Sequence, residues 1–141
     1  MAEANKIRVR LVTPEKILVE DTADAVELPA KNGYMEVLYG HAPLMAELGA
    51  GDVTLHGIGS SAPARYNVSW GFVEVLPDRV TILAKDAIEP SAIDTARAQK
   101  QLEQGQELWN QAGDSAEKYT EAERVINEAE AKLASAANKA N

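Results

Sequence analysis

The 141-residue chain has no cysteine, which excludes disulfides, thiolate nucleophiles and cysteine-bound zinc, and suits a reducing compartment. Basic residues are outnumbered: 14 Lys and Arg face 22 Asp and Glu, for a net charge of −8. Nucleic acid is therefore set aside as a partner, because phosphate binding needs a basic surface. Aromatics make up 5% of the chain, too few for the aromatic platform that a free-standing ligand-binding module would need. No apolar run approaches the roughly 18 residues of a membrane span, and the charged N-terminal stretch has no signal-peptide core. The expectation is a soluble protein, or one peripheral to something larger. There are two histidines, His41 and His56, and no His-Glu-x-x-His, Gly-x-Ser-x-Gly or Walker loop.

What is present looks globular. Hydrophobic residues make up 45% and charged residues 26%. The length fits one ordinary domain, or a small domain with an appendage. Residues 6–88 carry a period of two. Ile7, Val9 and Leu11 alternate with Lys6, Arg8 and Arg10, and Tyr66, Val68 and Trp70 alternate with Arg65, Asn67 and Ser69. Val73 and Val75 follow, then Val80 and Ile82. Each run is a strand with one buried face. On this reading Trp70 and Phe72 take core positions. Thr13-Pro14-Glu15, Lys31-Asn32-Gly33, Gly49-Ala50-Gly51-Asp52, Gly57 to Pro63 and Pro77-Asp78 fall between the runs as turns. Short strands punctuated in this way predict an antiparallel β-sandwich or barrel over residues 1–88, of which the sandwich is the expectation adopted.

After Ile88 the period changes. Glu89-Pro90-Ser91 reads as a helix start, and residues 91–110 are strong helix formers. Gly113 breaks the run, and Asp114 with Glu117 resembles a capping box for a second helix. Tyr119, Ala122, Ile126, Ala129, Leu133 and Ala136 then step by three and four, as do Ala98, Leu102, Gly105 and Trp109 on the first helix. Two such seams joined by a short loop predict an antiparallel two-helix hairpin over 89–141. Alternate seam positions are alanine or glycine, and a buried methyl contributes only about 0.8 kcal/mol. The hairpin is expected to be weakly held and able to take up two arrangements.

The site candidates are few. In "EVLYGHAPLMAEL", residues 36–48, Gly40 permits a bend and Pro43 pushes Ala42 toward extended geometry. His41 then reads as a corner residue rather than a base or ligand, since no partner of metal-ligand type stands at helical spacing. Gly57-Ile58-Gly59-Ser60-Ser61-Ala62 spells a dinucleotide fingerprint, but Pro63 and a strand follow it, so it reads as a loop. Asn67-Val68-Ser69 spells a glycosylation sequon inside a strand and is discounted.

"NGYMEVLYGHAPLMAEL", then "GFVEV", then "TILAKDA" leading into "AIDTARA", resembles the epsilon subunit of bacterial F-type ATP synthases in order and spacing over nearly the whole chain. The resemblance implies a non-catalytic central-stalk subunit, peripheral on the cytoplasmic side of the cell inner membrane. Its sandwich would join the gamma subunit to the membrane c-ring and so couple proton flow to ATP synthesis. Tyr34 would lie toward the c-ring, with Gly40 and His41 near gamma. The hairpin would extend into the catalytic head of alpha and beta and block ATP hydrolysis.

In the family, Ile-Asp-x-x-Arg-Ala is tied to ATP binding on the folded hairpin, and Asp94 and Arg97 match it. The resemblance thus offers a regulatory ATP and no other cofactor. Where binding members place further arginines, this chain has Gln104, Glu128 and Lys132, and Glu128 would repel a triphosphate. Asp94 and Arg97 also read simply as a first-turn pair. Basic residues on the family's second helix meet an acidic segment of beta. Over 115–141 this chain carries four basic and five acidic side chains, so weak inhibition is expected. A free-standing sandwich module with a helical dimerisation tail is the rival reading, and an enzyme is the third.

Overall fold

Alternation of apolar and charged residues from Lys6 onward forms the first strand, β1 (Ile7–Val12), whose burial follows the same period. It is followed by β2 (Ile17–Ala23), β3 (Ala25–Ala30), β4 (Gly33–Val37), β5 (Leu44–His56), β6 (Ala64–Leu76) and β7 (Arg79–Ile88). The structure is a computed structural model that describes residues 5–58 and 62–138. Two compact units divide after Ile88.

In the first unit the strands form one ladder in the order β2-β1-β7-β6-β5-β3-β4. All pairs are antiparallel except β1 with β7, which run parallel. Ile7, Val9 and Leu11 at one end of the ladder share a single core with Val26, Leu28 and Val37 at the other. The ladder therefore folds over on itself, giving the expected β-sandwich.

The fold-over shows in the burial phase. On β6 Val68 is buried, then Val73 and Val75; on β5 Leu48, then Val53 and Leu55; on β7 Val80, Ile82 and Ala84, then Ala87 against the core. Each strand switches parity near the paired positions Leu48, Gly71 and Ala84. At the switch Trp70 has φ 56° and Gly71 φ 133°. A Cβ on Gly71 would run into the Leu83 carbonyl oxygen, so only glycine fits. The parity switch corrects one expectation: Phe72 is not a core residue but is 54% exposed, while Trp70 is half-buried.

Gly49-Ala50-Gly51-Asp52 is not a turn but the interior of β5. Between the pairs Ala30–Leu48 and Glu27–Thr54, residues 49–53 of β5 face only residues 28 and 29 of β3. β5 bulges there, opposite Pro29, which has no N–H to offer the ladder. The 31–32 turn is as expected, with the positive φ carried by Gly33. Of the Gly57–Pro63 loop, residues 59–61 lie outside the described residues.

The second unit is the expected helical hairpin. Pro90–Ala92 forms a single 3-10 turn, and Ile93 and Asp94 are extended, so α1 (Thr95–Asn110) starts four residues later than its composition suggests. The Arg97 backbone N–H donates to the Asp94 carboxylate at 3.1 Å and fixes that start. For α2 (Ala116–Ala137) the cap is Ser115 rather than Asp114: the Lys118 N–H donates to its hydroxyl at 3.2 Å. The buried seam consists of Ala98 and Gly105 on α1 with Ala122, Ala129 and Ala136 on α2. A Cβ on Gly105 would stand 2.8 Å from Ile126 Cγ1, so the helices approach to near backbone contact there. At the loop end Trp109 meets Tyr119 edge to face, with centroids 4.6 Å apart, and the Tyr119 hydroxyl donates to the Gly113 carbonyl at 2.9 Å.

Candidate functional site

The β4–β5 connection is a tight corner. Gly40, at φ 91°, donates its N–H to the Pro77 carbonyl at 2.7 Å and so ties the corner to the β6–β7 turn. The His41 N–H donates to the Leu38 carbonyl at 3.0 Å, and its Nδ1 lies 2.6 Å from the Ala42 carbonyl oxygen. The imidazole is thus held by local backbone, with the ring half-buried. Around this corner Leu38, Tyr39, Leu44 and Met45 are all exposed.

Tyr34 opens β4 and is 64% exposed. Its ring crosses the β5 bulge, where a Cβ on Gly51 would collide with the phenol, and its hydroxyl accepts the Asp52 N–H at 2.9 Å. The side chain is therefore fixed in place while most of its surface remains available.

Sequence reading missed a second surface. Ile17 pairs with Val12, Val12 with Leu83, Leu83 with Phe72, and Phe72 with Glu47. These residues form one row across β2, β1, β7, β6 and β5 on the face away from the core. Ile17, Leu83 and Phe72 each expose about half of their surface. These four neighbouring side chains make a contiguous apolar row on an outer sheet face rather than a scattering of surface residues. A signal was available: Leu83 sits out of phase with Val80, Ile82 and Ala84.

Asp94 and Arg97 are brought together, but as an N-cap: the carboxylate accepts the Arg97 backbone N–H, and the guanidinium is exposed. Farther along the hairpin the Gln101 amide donates to the Glu128 carboxylate at 2.8 Å. Among the described residues no three His, Cys, Asp or Glu side chains gather into a metal site. No helix among them is long and apolar enough to cross a membrane.

Comparison with known proteins converges on one family. Residues 6–90 match the family described as ATP synthase, Delta/Epsilon chain, beta-sandwich domain. An ATP synthase epsilon chain of Koribacter versatilis is 42% identical over 113 residues, 78% of this chain and 76% of that one. An ATP synthase epsilon chain of Magnetococcus marinus is 34% identical over 128 residues, 91% of this chain and 92% of that one. A chain in the cryo-EM structure of Euglena gracilis mitochondrial ATP synthase, OSCP/F1/c-ring, superposes with a TM-score of 0.76. It is 21% identical, over 92% of this chain and 80% of that one, and the likeness is one of fold.

Proposed function

The chain belongs to the ATP synthase delta/epsilon chain family, and from that premise we propose that it is a non-catalytic central-stalk subunit of an F-type ATP synthase. Its sandwich unit binds the gamma subunit and the membrane c-ring and couples proton flow to ATP synthesis. It is peripheral to the cell inner membrane, on the cytoplasmic side. The observation that best supports this reading beyond family membership is the outer row Ile17, Val12, Leu83 and Phe72. Water-exposed apolar side chains in register across four strands gain free energy by being covered, at about 25 cal/mol per Å² of buried apolar surface.

Two contact regions divide the work. The outer row serves gamma, as does the Gly40–His41 corner at the β6–β7 turn; the fixed and exposed Tyr34 ring faces the c-ring. Torque then passes through shape and packing, so none of these residues needs to act as an acid, base or nucleophile. The hairpin unit is regulatory and reaches the alpha and beta subunits of the head when extended. Its seam of alanine and glycine buries little apolar area, which supports two arrangements separated by a few kcal/mol.

The test is association of the full-length chain with purified gamma, measured by calorimetry. A stable one-to-one complex that Phe72→Ser together with Leu83→Ser weakens supports the reading. Absence of a complex with the wild-type chain would overturn it.

A further inference from the structure

On this acidic chain the basic side chains are not spread evenly. Arg8 and Arg79 stand directly opposite each other on the parallel strands β1 and β7. Both are exposed, and among the described residues neither forms an ion pair. Arg10, two residues along the same face, pairs with Glu20 at 3.3 Å. All three arginines line a groove of about 690 Å³, with Glu20, Asp21 and Glu74 also in its lining.

Like charges directly opposite on neighbouring strands are destabilising in an isolated sheet. Here neither arginine of the pair makes an ion pair among the described residues, although three carboxylates line the same groove. A like-charge pair that the nearby carboxylates do not engage marks a place where something external completes the arrangement. A guanidinium presents a planar fork of donors that fits two oxygens at once, so the missing group is a carboxylate or a phosphate. Glu20, Asp21 and Glu74 decide between them. Three carboxylates in the groove disfavour a multiply charged phosphate and tolerate a single carboxylate delivered at one point. They would also oppose a broad anionic bilayer, which presents its charge over the whole face.

Position completes the argument. Arg8 lies four residues from Val12, and Arg79 four residues from Leu83, so the arginine pair and the apolar row share one face. The two rows run side by side about 13 Å apart at the strand rise of ~3.3 Å per residue. That separation is close to the 10–12 Å width of an α-helix with its side chains.

Building on the stalk reading above, we propose that Arg8 and Arg79 are the charged half of the docking surface. They grip a carboxylate on the partner segment whose apolar stripe covers Leu83 and Phe72. The partner is therefore recognised as an apolar element flanked on one side by an acidic side chain, and the arginines fix its register across the strands.

The experiment measures binding of the full-length chain to purified gamma at low and high salt. In the Arg8→Gln, Arg79→Gln double variant the Kd rises at least about tenfold at low salt, and the salt dependence flattens. Phe72→Ser with Leu83→Ser weakens binding by a similar factor at every salt concentration, and Lys100→Gln on α1 leaves it unchanged. The arginine variant melts at or above the wild-type temperature, since a repulsion has been removed, which separates lost binding from lost fold. If the double variant binds gamma as the wild type does while the apolar variant does not, the stalk reading stands and the arginine proposal is overturned. If vesicles of anionic phospholipid bind the wild type and lose the double variant while gamma binding is unmoved, the arginines serve lipid and the proposal is again overturned.

Discussion

The Tyr34 hydroxyl accepts the Asp52 backbone N–H at 2.9 Å, at the point where the ladder between β3 and β5 breaks. A side chain thus stands in for a missing strand partner, and the same contact fixes a ring that is otherwise mostly in water. Tyr34→Phe keeps the ring and removes the acceptor. The expected loss is about 0.5–1.5 kcal/mol, at the low end because water can reach the site. Hydrogen exchange at the Asp52 amide should accelerate while core amides on β6 stay protected. Unchanged exchange at Asp52 would show that the bulge holds without the phenol.

Gly71 carries a harsher constraint. Its φ of 133° lies where L side chains are rare, and a Cβ would meet the Leu83 carbonyl. Gly71→Ala is expected to destabilise the sandwich by more than about 2 kcal/mol, combining backbone strain with displacement of the β6–β7 ladder. Urea unfolding would read this as a lower midpoint. The hairpin unit, which contains none of these residues, should keep its helical signal.

How much of this was legible in the residues depends on the range of the forces involved. The alternation Ile7, Val9, Leu11 is local, and it places β1 and its buried face correctly. The helical seam is local too: its small positions Ala98, Gly105, Ala122, Ala129 and Ala136 are buried, Leu102, Tyr119, Ile126 and Leu133 are partly buried, and Trp109, expected in the seam, is 44% exposed. Gly49 and Gly51 were misread because a glycine pair suits a turn or a bulge equally well. Only the neighbours across the sheet, Ala30 beside Gly49 and Tyr34 beside Gly51, make the difference. Phe72 failed for a related reason. Trp70 and Gly71 switch the strand's parity, and nothing in the letters around Phe72 announces that a tryptophan will take positive φ. The outer row is a property of register between strands far apart in the chain, and so is the Arg8–Arg79 pair.

The hairpin seam can be tested at its tightest point. Gly105→Ala raises intrinsic helix propensity by about 1 kcal/mol, yet puts a methyl within 2.8 Å of Ile126 Cγ1 and 3.1 Å of Val125 Cγ1. Overpacking costs about 1–3 kcal/mol, more than the propensity gained. The two effects separate in measurement. Far-UV circular dichroism should show helicity retained or increased, while a distance probe across the seam shows α1 and α2 moving apart. Gly105→Val should do the same more strongly. A seam that stays closed in both variants would mean that the hairpin is not poised between two arrangements.

Removal of the second unit tests the regulatory role proposed for the hairpin. Residues 115–141 carry four basic and five acidic side chains, so under the proposed regulatory role their attraction to an acidic partner surface would be weak. Exposed ion pairs contribute only about 0–1 kcal/mol each, and screening lowers that further. In an assembled enzyme, deleting residues 91–141 is expected to change ATP hydrolysis by less than about twofold, an energetic effect well under 1 kcal/mol. A large activation on deletion would show that shape rather than charge holds the extended helix in the head.

Nucleotide binding is the sharpest test of the hairpin's chemistry. A ligand that binds only the compact form stabilises it by RT ln(1 + [L]/Kd), about 2.7 kcal/mol at a hundredfold excess over Kd, enough to decide a weak seam. Asp94, however, is occupied as the cap of α1, accepting the Arg97 N–H, and Glu128 holds the Gln101 amide at 2.8 Å. A triphosphate approaching Arg97 would find one exposed guanidinium and these carboxylates on the same hairpin. Calorimetry with magnesium-free ATP is therefore expected to give millimolar affinity or none. Glu128→Gln keeps the side chain's size and its capacity to accept from Gln101 while removing the negative charge, so binding should tighten in that variant. A micromolar Kd in the wild-type chain would sink this account, because it would require the repulsion of these carboxylates to be outweighed.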